Sequence, residues 1–133
     1  MNSEISKLTS KMDLNPGATP DMVRRIESSL GIRFPPDYFE FLTQANGGEG
    51  WVGQQYLQLW RVEQIPEFNE GYNASELFPG LVLIGSDGGD EAYALDVRSD
   101  KVTFVETPFI GFEEDTRKVA DSFVEFLTTL SRR

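Results

Sequence analysis

The stretch Leu81-Val82-Leu83-Ile84-Gly85-Ser86-Asp87-Gly88-Gly89-Asp90-Glu91-Ala92-Tyr93-Ala94-Leu95-Asp96-Val97 decides the fold. Two apolar runs, 81–84 and 92–97, flank a hinge of Gly, Ser and Asp. Short apolar runs joined by such a hinge pair as an antiparallel hairpin. Gly85, Gly88 and Gly89 can take positive φ, which a Cβ denies to most residues. The hinge also carries three acids, Asp87, Asp90 and Glu91. They are candidates for chemistry, for recognition, or for a solvated turn.

Upstream of the hairpin, Tyr56-Leu57-Gln58-Leu59-Trp60 alternates and reads as a strand with Tyr56, Gln58 and Trp60 on one face. Trp60 itself is read as core. Residues 49–55 read as a Gly-rich loop, in which Trp51 is equally a lid on the core or an exposed anchor. Residues 62–72 are polar and broken by Pro66, leaving room for a short helix at 62–65. Residues 73–80 read as loop with a helical turn.

Further back lie two helix signals. Thr19-Pro20-Asp21 supplies a cap, a first-turn proline and an acid at the positive end of the dipole. Met22, Val23, Ile26 and Leu30 form the apolar stripe, and Gly31 closes the helix. Phe34-Pro35-Pro36-Asp37 opens a second helix, with Phe34 placed to staple onto the apolar face of Tyr38, Phe39, Phe41, Leu42 and Ala45. Asn46-Gly47-Gly48 ends it. In residues 1–18, Ile5, Leu8 and Met12 suit one face of a weak, frayed helix stopped by Asn15-Pro16-Gly17.

Downstream, Ser99-Asp100 makes a turn, Lys101–Glu106 a strand, and Thr107-Pro108 breaks it. Phe109–Phe112 reads as a short strand or a packed loop. Glu113-Glu114-Asp115 precedes a last helix with the stripe Val119, Ala120, Phe123, Phe126, Leu127 and Leu130. Helix pair, then strands, then helix is the order of an α+β fold rather than an alternating one. With 133 residues and no linker or repeat, one domain over 1–133 is expected.

Composition narrows function. The chain has no Cys and no His, which removes disulfides, thiolate chemistry and the commonest neutral-pH base and metal ligand. Net charge is −10, and between Glu63 and Asp121 fourteen Asp and Glu face four Lys and Arg. Such a field repels nucleic acid and anionic lipid and attracts a basic partner. An acidic surface also serves plain solubility. No run is long and apolar enough for a membrane helix and no signal-peptide core is visible, so a cytoplasmic protein is expected.

The motifs resemble the SMI1/KNR4 (SUKH) superfamily. The matching pieces occur in that family's order: 34–42, Asn46-Gly47-Gly48, 56–60, 84–90 with Leu95-Asp96, and Ser122–Leu127. Pro35 stands where the pattern has an aliphatic residue. The resemblance implies a curved antiparallel sheet flanked by an N-terminal helical pair and a C-terminal helix. It implies that many bacterial members are immunity proteins, which bind and neutralise a toxin domain, often a nuclease. Other members act as regulatory interaction modules without catalysis.

The candidate sites are weighed against that background. The spacing of Asp87, Asp90 and Glu91 misses the calcium-loop pattern, and Asp at a turn bonds nearby backbone N–H groups, so no metal is expected. A phosphate loop is excluded by the acids and the missing Lys. No nucleophile motif exists and adjacent acids are commonplace among 22, so neither catalytic residue nor cofactor is expected. The candidate partner contacts are Trp51, Asp87, Asp90, Glu91, Glu113, Glu114 and Asp115. The expected partner is a basic toxin domain, with an endogenous regulatory partner as the alternative. A metal- or carboxylate-dependent enzyme is the third reading.

Overall fold

The computed structural model describes residues 1–111 and 113–133, Glu113 for its backbone alone. Seven strands form one sheet in sequence order, every neighbouring pair antiparallel. They are β1 (Lys11–Pro16), β2 (Ala45–Val52), β3 (Gln55–Leu59), β4 (Leu81–Ser86), β5 (Glu91–Asp96), β6 (Thr103–Pro108) and β7 (Arg117–Ala120). Register breaks at Leu14/Pro16, Leu83/Gly85 and Phe104/Val105. Such breaks bend a strand and raise its twist. The helices are α1 (Ser3–Leu8), α2 (Pro20–Leu30), α3 (Pro36–Gln44), α4 (Gln64–Gly71), α5 (Ala74–Leu77) and α6 (Phe123–Ser131). The fold is α+β, as the order of elements predicts.

The predicted caps are in place. Thr19 Oγ1 accepts the Met22 N–H at 3.2 Å, and Gly31 ends α2 at φ 69°. Phe34 packs edge-on against Tyr38 with ring centroids 5.2 Å apart, and its N–H donates to Glu27 at 2.7 Å, tying α2 to α3.

The main core lies between one face of the sheet and helices α1, α2, α3 and α6. Tyr38, Phe41, Phe104, Phe123 and Phe126 are fully buried there and meet in edge, tilted and stacked pairs. Aromatic pairs in such geometries add about 0.5–1.5 kcal/mol beyond area burial. We call this the inner face. The outer face has a smaller core of Ala74, Phe78, Leu81, Leu83, Ala92, Ala94 and Val105 under α5. The helices therefore cover the outer face only around β4–β6. The outer side of β1–β3 is open.

Several local expectations differ from the structure. The helix expected over 1–18 ends at Leu8, and Lys11–Pro16 is an edge strand paired with β2. Met12 fits a helical spacing from Ile5, but it also alternates with exposed Lys11 and Asp13, and pairing with β2 selects the strand. The loop expected around Trp51 is strand β2. Its glycines hid it: a Cβ on Gly48 (φ 150°) would lie 2.2 Å from the Asp13 carbonyl oxygen of β1. Here Gly admits close backbone approach rather than breaking the strand.

Pro66 does not break α4. It is the third residue, where the backbone N–H has no intrahelical partner to lose. Strand β6 runs through Thr107-Pro108, with Pro108 at its end opposite Glu91, a position that needs no donor. The stretch assigned to the start of the last helix is β7, and α6 begins at Phe123 behind Ser122, whose Oγ accepts the Glu125 N–H at 3.2 Å. Phe109–Gly111 forms no strand, and Phe112 lies outside the described residues.

Candidate functional site

The β4–β5 turn shows what its acids do. Asp87 Oδ1 accepts the Gly89 N–H at 2.8 Å and the Glu91 N–H at 3.2 Å. Gly88 alone of the three hinge glycines takes positive φ, at 84°. Asp87 therefore builds the turn, and Asp90 is exposed at its tip. Among the described residues, no three Asp or Glu converge as a metal-ligand set.

Glu91 points elsewhere. It lies two residues before Tyr93, which is buried in the inner core, so the pleat turns Glu91 to the inner face. Its Oε2 is buried without a hydrogen-bond partner among the described residues. Burial pushes its carboxyl above the ordinary range; Glu106 and Asp87 push the same way, and Arg117 and Arg133 oppose them. Nearby Glu106, only 5% exposed, receives both Arg133 guanidinium nitrogens at 2.8 Å and Arg117 at 3.1 Å. Glu91 belongs with this inner-face group, not beside Trp51.

Trp51 is 51% exposed on the outer face, its ring edge-on to Tyr56 at 5.2 Å. The Tyr56 hydroxyl donates to Glu49, and Gln58 Nε2 reaches the same carboxylate oxygen at 3.4 Å. That hydrogen bond, then desolvation and the charges of Glu49 and Asp13, push the Tyr56 phenol up. The acidic turn lies against this group: a Cβ on Gly88 would sit 3.1 Å from the Tyr56 ring. Ser86 Oγ bonds Gln58 at 3.2 Å. The topology puts the β2–β3 turn, the β4–β5 turn and the β6–β7 connection at one end of the sheet. Trp51, Asp87, Asp90, Glu114 and Asp115 thus belong to one end of the molecule. Glu114 and Asp115 are exposed in a 3-10 turn over Glu113–Asp115. The side chain of Glu113 lies outside the described residues.

A groove of about 930 Å³ runs over the open outer side of β1–β3. Asp13, Glu49, Trp51, Tyr56, Gln58 and Trp60 line it, together with the cations Lys11 and Arg61. Trp60 is not core in the expected sense. It is half-buried and walls the groove, edge-on to Phe68 at 4.9 Å and stacked on Tyr72 at 6.1 Å. Tyr72 in turn stacks on Phe109 at 4.7 Å, and the next residue, Ile110, is 96% exposed. Phe109 donates its N–H to the Asp90 carbonyl at 2.9 Å. An aromatic band therefore links the groove to the acidic turn. The alternation of Tyr56, Gln58 and Trp60 signals this face in the sequence. Asp13 and Glu49 are missed because β1 and β2 are not legible as strands.

The motif residues mostly hold the frame. Asn46 clasps the chain after β3, accepting the Val62 N–H at 2.8 Å and donating to Glu63 at 2.7 Å. Asn69 of α4 bonds both the N–H and the carbonyl of Leu83 at 2.8 Å, standing in for the strand that β4 lacks there.

These elements define an α+β meander, with α1, α2, α3 and α6 packed on one face and, on the other, α5 beside an aromatic groove with an acidic rim. The chain belongs to the SMI1/KNR4 family (SUKH-1), whose match spans residues 17–129. It is also 42% identical over 84 residues to the uncharacterized protein YnaB of Bacillus subtilis (strain 168), a match covering 63% of this chain and 54% of that protein. The matched region is thus about half the length of that relative. No helix among the described residues is long and apolar enough to cross a membrane.

Proposed function

We propose that this chain is a non-enzymatic immunity protein that binds and neutralises a cognate toxin domain, a nuclease with a basic cleft. Membership of the SMI1/KNR4 family supports an immunity-type role. The observation that carries the reading is Trp51, half-exposed against Tyr56 and next to the acidic turn. A large aromatic held in place but open to solvent is the kind of anchor that dominates interface energetics. Asp90, Glu114 and Asp115 at the same end of the sheet, within a chain of net charge −10, would steer a basic partner toward it. The absence of His and Cys from the sequence fits a protein that blocks chemistry rather than performs it.

The test is co-expression with the toxin-like product encoded beside this chain. Growth rescue and a co-purifying complex are expected, with association slowing as salt rises. No complex and no rescue overturn the reading. Capture of an endogenous partner together with no toxin gene nearby would move the protein to the regulatory class.

A further inference from the structure

Two carboxylates stand directly opposite each other on the open face of the sheet. Asp13 of β1 and Glu49 of β2 are register partners, and both are exposed. Like charges at directly opposed cross-strand positions repel and destabilise the pair. No ion pair among the described residues neutralises either one, although Lys11 and Arg61 line the same groove. The Asp13 carboxylate forms no side-chain hydrogen bond or ion pair among the described residues, and Glu49 uses one carboxylate oxygen for Tyr56 and Gln58, leaving the other without a partner among them. The chain's own cations at the groove do not serve. Lys11 and Arg61 form no ion pair with either acid, and Arg61 reaches Asn15 instead, at 3.5 Å.

The next cross-strand row supplies a wall. Lys11, Trp51 and Tyr56 are register partners across β1, β2 and β3. Trp51 follows Glu49 by two residues, so the indole and the carboxylate are neighbours on one face. An aromatic face beside two uncompensated carboxylates is complementary to a flat cation. Guanidinium fits better than ammonium: it is planar, stacks on aromatic rings and donates in a fork that matches carboxylate oxygens.

We propose that the groove takes one arginine side chain of a protein partner, its guanidinium held between Asp13 and Glu49 and covered by the Trp51 and Tyr56 rings. This rests on the outer face being a protein-binding surface, and it names the chemistry that surface selects. The partner's arginine supplies the cation that the Asp13–Glu49 pair lacks. The groove lies beside the acidic turn, so an approaching basic surface reaches both.

The proposal is testable without a toxin. N-acetyl-arginine amide is titrated into the nitrogen-15-labelled chain while the Trp51 indole N–H signal is followed, with N-acetyl-citrulline amide as the neutral isostere and N-acetyl-lysine amide as the second cation. Arginine amide should shift that signal and citrulline amide should not. The double variant Asp13→Asn/Glu49→Gln should weaken binding about tenfold or more, roughly 1.4 kcal/mol. A charge-matched variant of exposed acids on the opposite layer, Glu4→Gln/Glu40→Gln, should leave it unchanged. No shift with arginine amide, an equal shift with citrulline amide, or equal weakening in the charge-matched variant overturns the site. Lysine amide binding as tightly overturns the guanidinium assignment. As a readout independent of ligand, Asp13→Asn alone should raise the thermal midpoint at low salt, the gain shrinking as salt screens the repulsion; an unchanged or lower midpoint overturns the uncompensated pair. A failed toxin rescue with intact arginine binding would sink the immunity reading and leave this site standing.

Discussion

The carboxylate of Asp37 accepts the backbone N–H of Phe123 at 3.1 Å, across 86 positions of chain, and its second oxygen accepts Val124 at 3.0 Å. A residue in the first turn of α3 thus caps the first turn of α6. It satisfies two donors that α6 cannot satisfy itself and places a negative charge at the positive end of that helix. The Pro-Pro-Asp motif is therefore a long-range clamp as well as a helix start. Asp37→Ala should destabilise the fold by about 2 kcal/mol, the range of a lost charged hydrogen bond and cap. Asp37→Asn should recover part of that. Urea unfolding with unchanged m-value measures it, and a loss in the noise would show that Ser122 caps α6 alone.

Gly48 tests the β1–β2 contact. With φ at 150° and the Asp13 carbonyl 2.2 Å from where a Cβ would sit, Gly48→Ala must move one backbone away from the other. A loss of at least about 2 kcal/mol is expected, with amide exchange rising first along β1. Wild-type protection of β1 in the variant would mean that the edge adapts.

Glu91 makes stability depend on pH in a defined direction. Burial raises its folded-state pKa above the unfolded value, so folding favours the protonated form. Its stabilising share is complete below the unfolded carboxyl pKa and is lost as pH rises through the folded one. Glu106, Asp87, Arg117 and Arg133 are the charges that act on it. Glu91→Gln should therefore exceed wild type in thermal midpoint at neutral pH, and the difference should close on acidification. A difference that is constant with pH would place the effect in packing instead.

Trp51→Ala separates recognition from folding. The indole is 51% exposed and covers no inner-core residue, so stability should change little. Affinity for the partner should fall by about 2 kcal/mol or more, as for an interface anchor. Calorimetry on the purified complex checks it, and equal affinity would remove Trp51 from the interface.

Much of the frame was legible because its signals are local. Thr19 and Gly31 bracket α2 by cap chemistry, and the 81–97 hairpin follows from two apolar runs and a turn. The candidate site was legible only in pieces. Tyr56, Gln58 and Trp60 announce a shared face by alternation alone. Glu91 sits one residue from Asp90 in sequence, yet the pleat sends its side chain to the opposite side of the sheet from Trp51. Trp60 reads as core by its strand and apolar neighbour, but α4 covers it only in part: Phe68 and Tyr72 pack on its ring and the rest lines the open groove.

The sequence by itself determined the helix starts and stops, the central hairpin, the α+β order and the acidic, His-free chemistry that excludes common catalytic sets. Those properties depend on neighbouring residues, on turn geometry and on simple counts. Only the tertiary structure decided that 11–16 and 117–120 are strands, that glycines at 48 and 50 permit a strand rather than end one, and that Asp13 faces Glu49. Each of these depends on a partner strand outside the stretch itself: β2 for β1 and β6 for β7. The same is true of the 81–97 stretch: its hinge acids are contiguous in sequence, and pairing with β3 and β6 assigns one to the turn, one to solvent and one to the inner face.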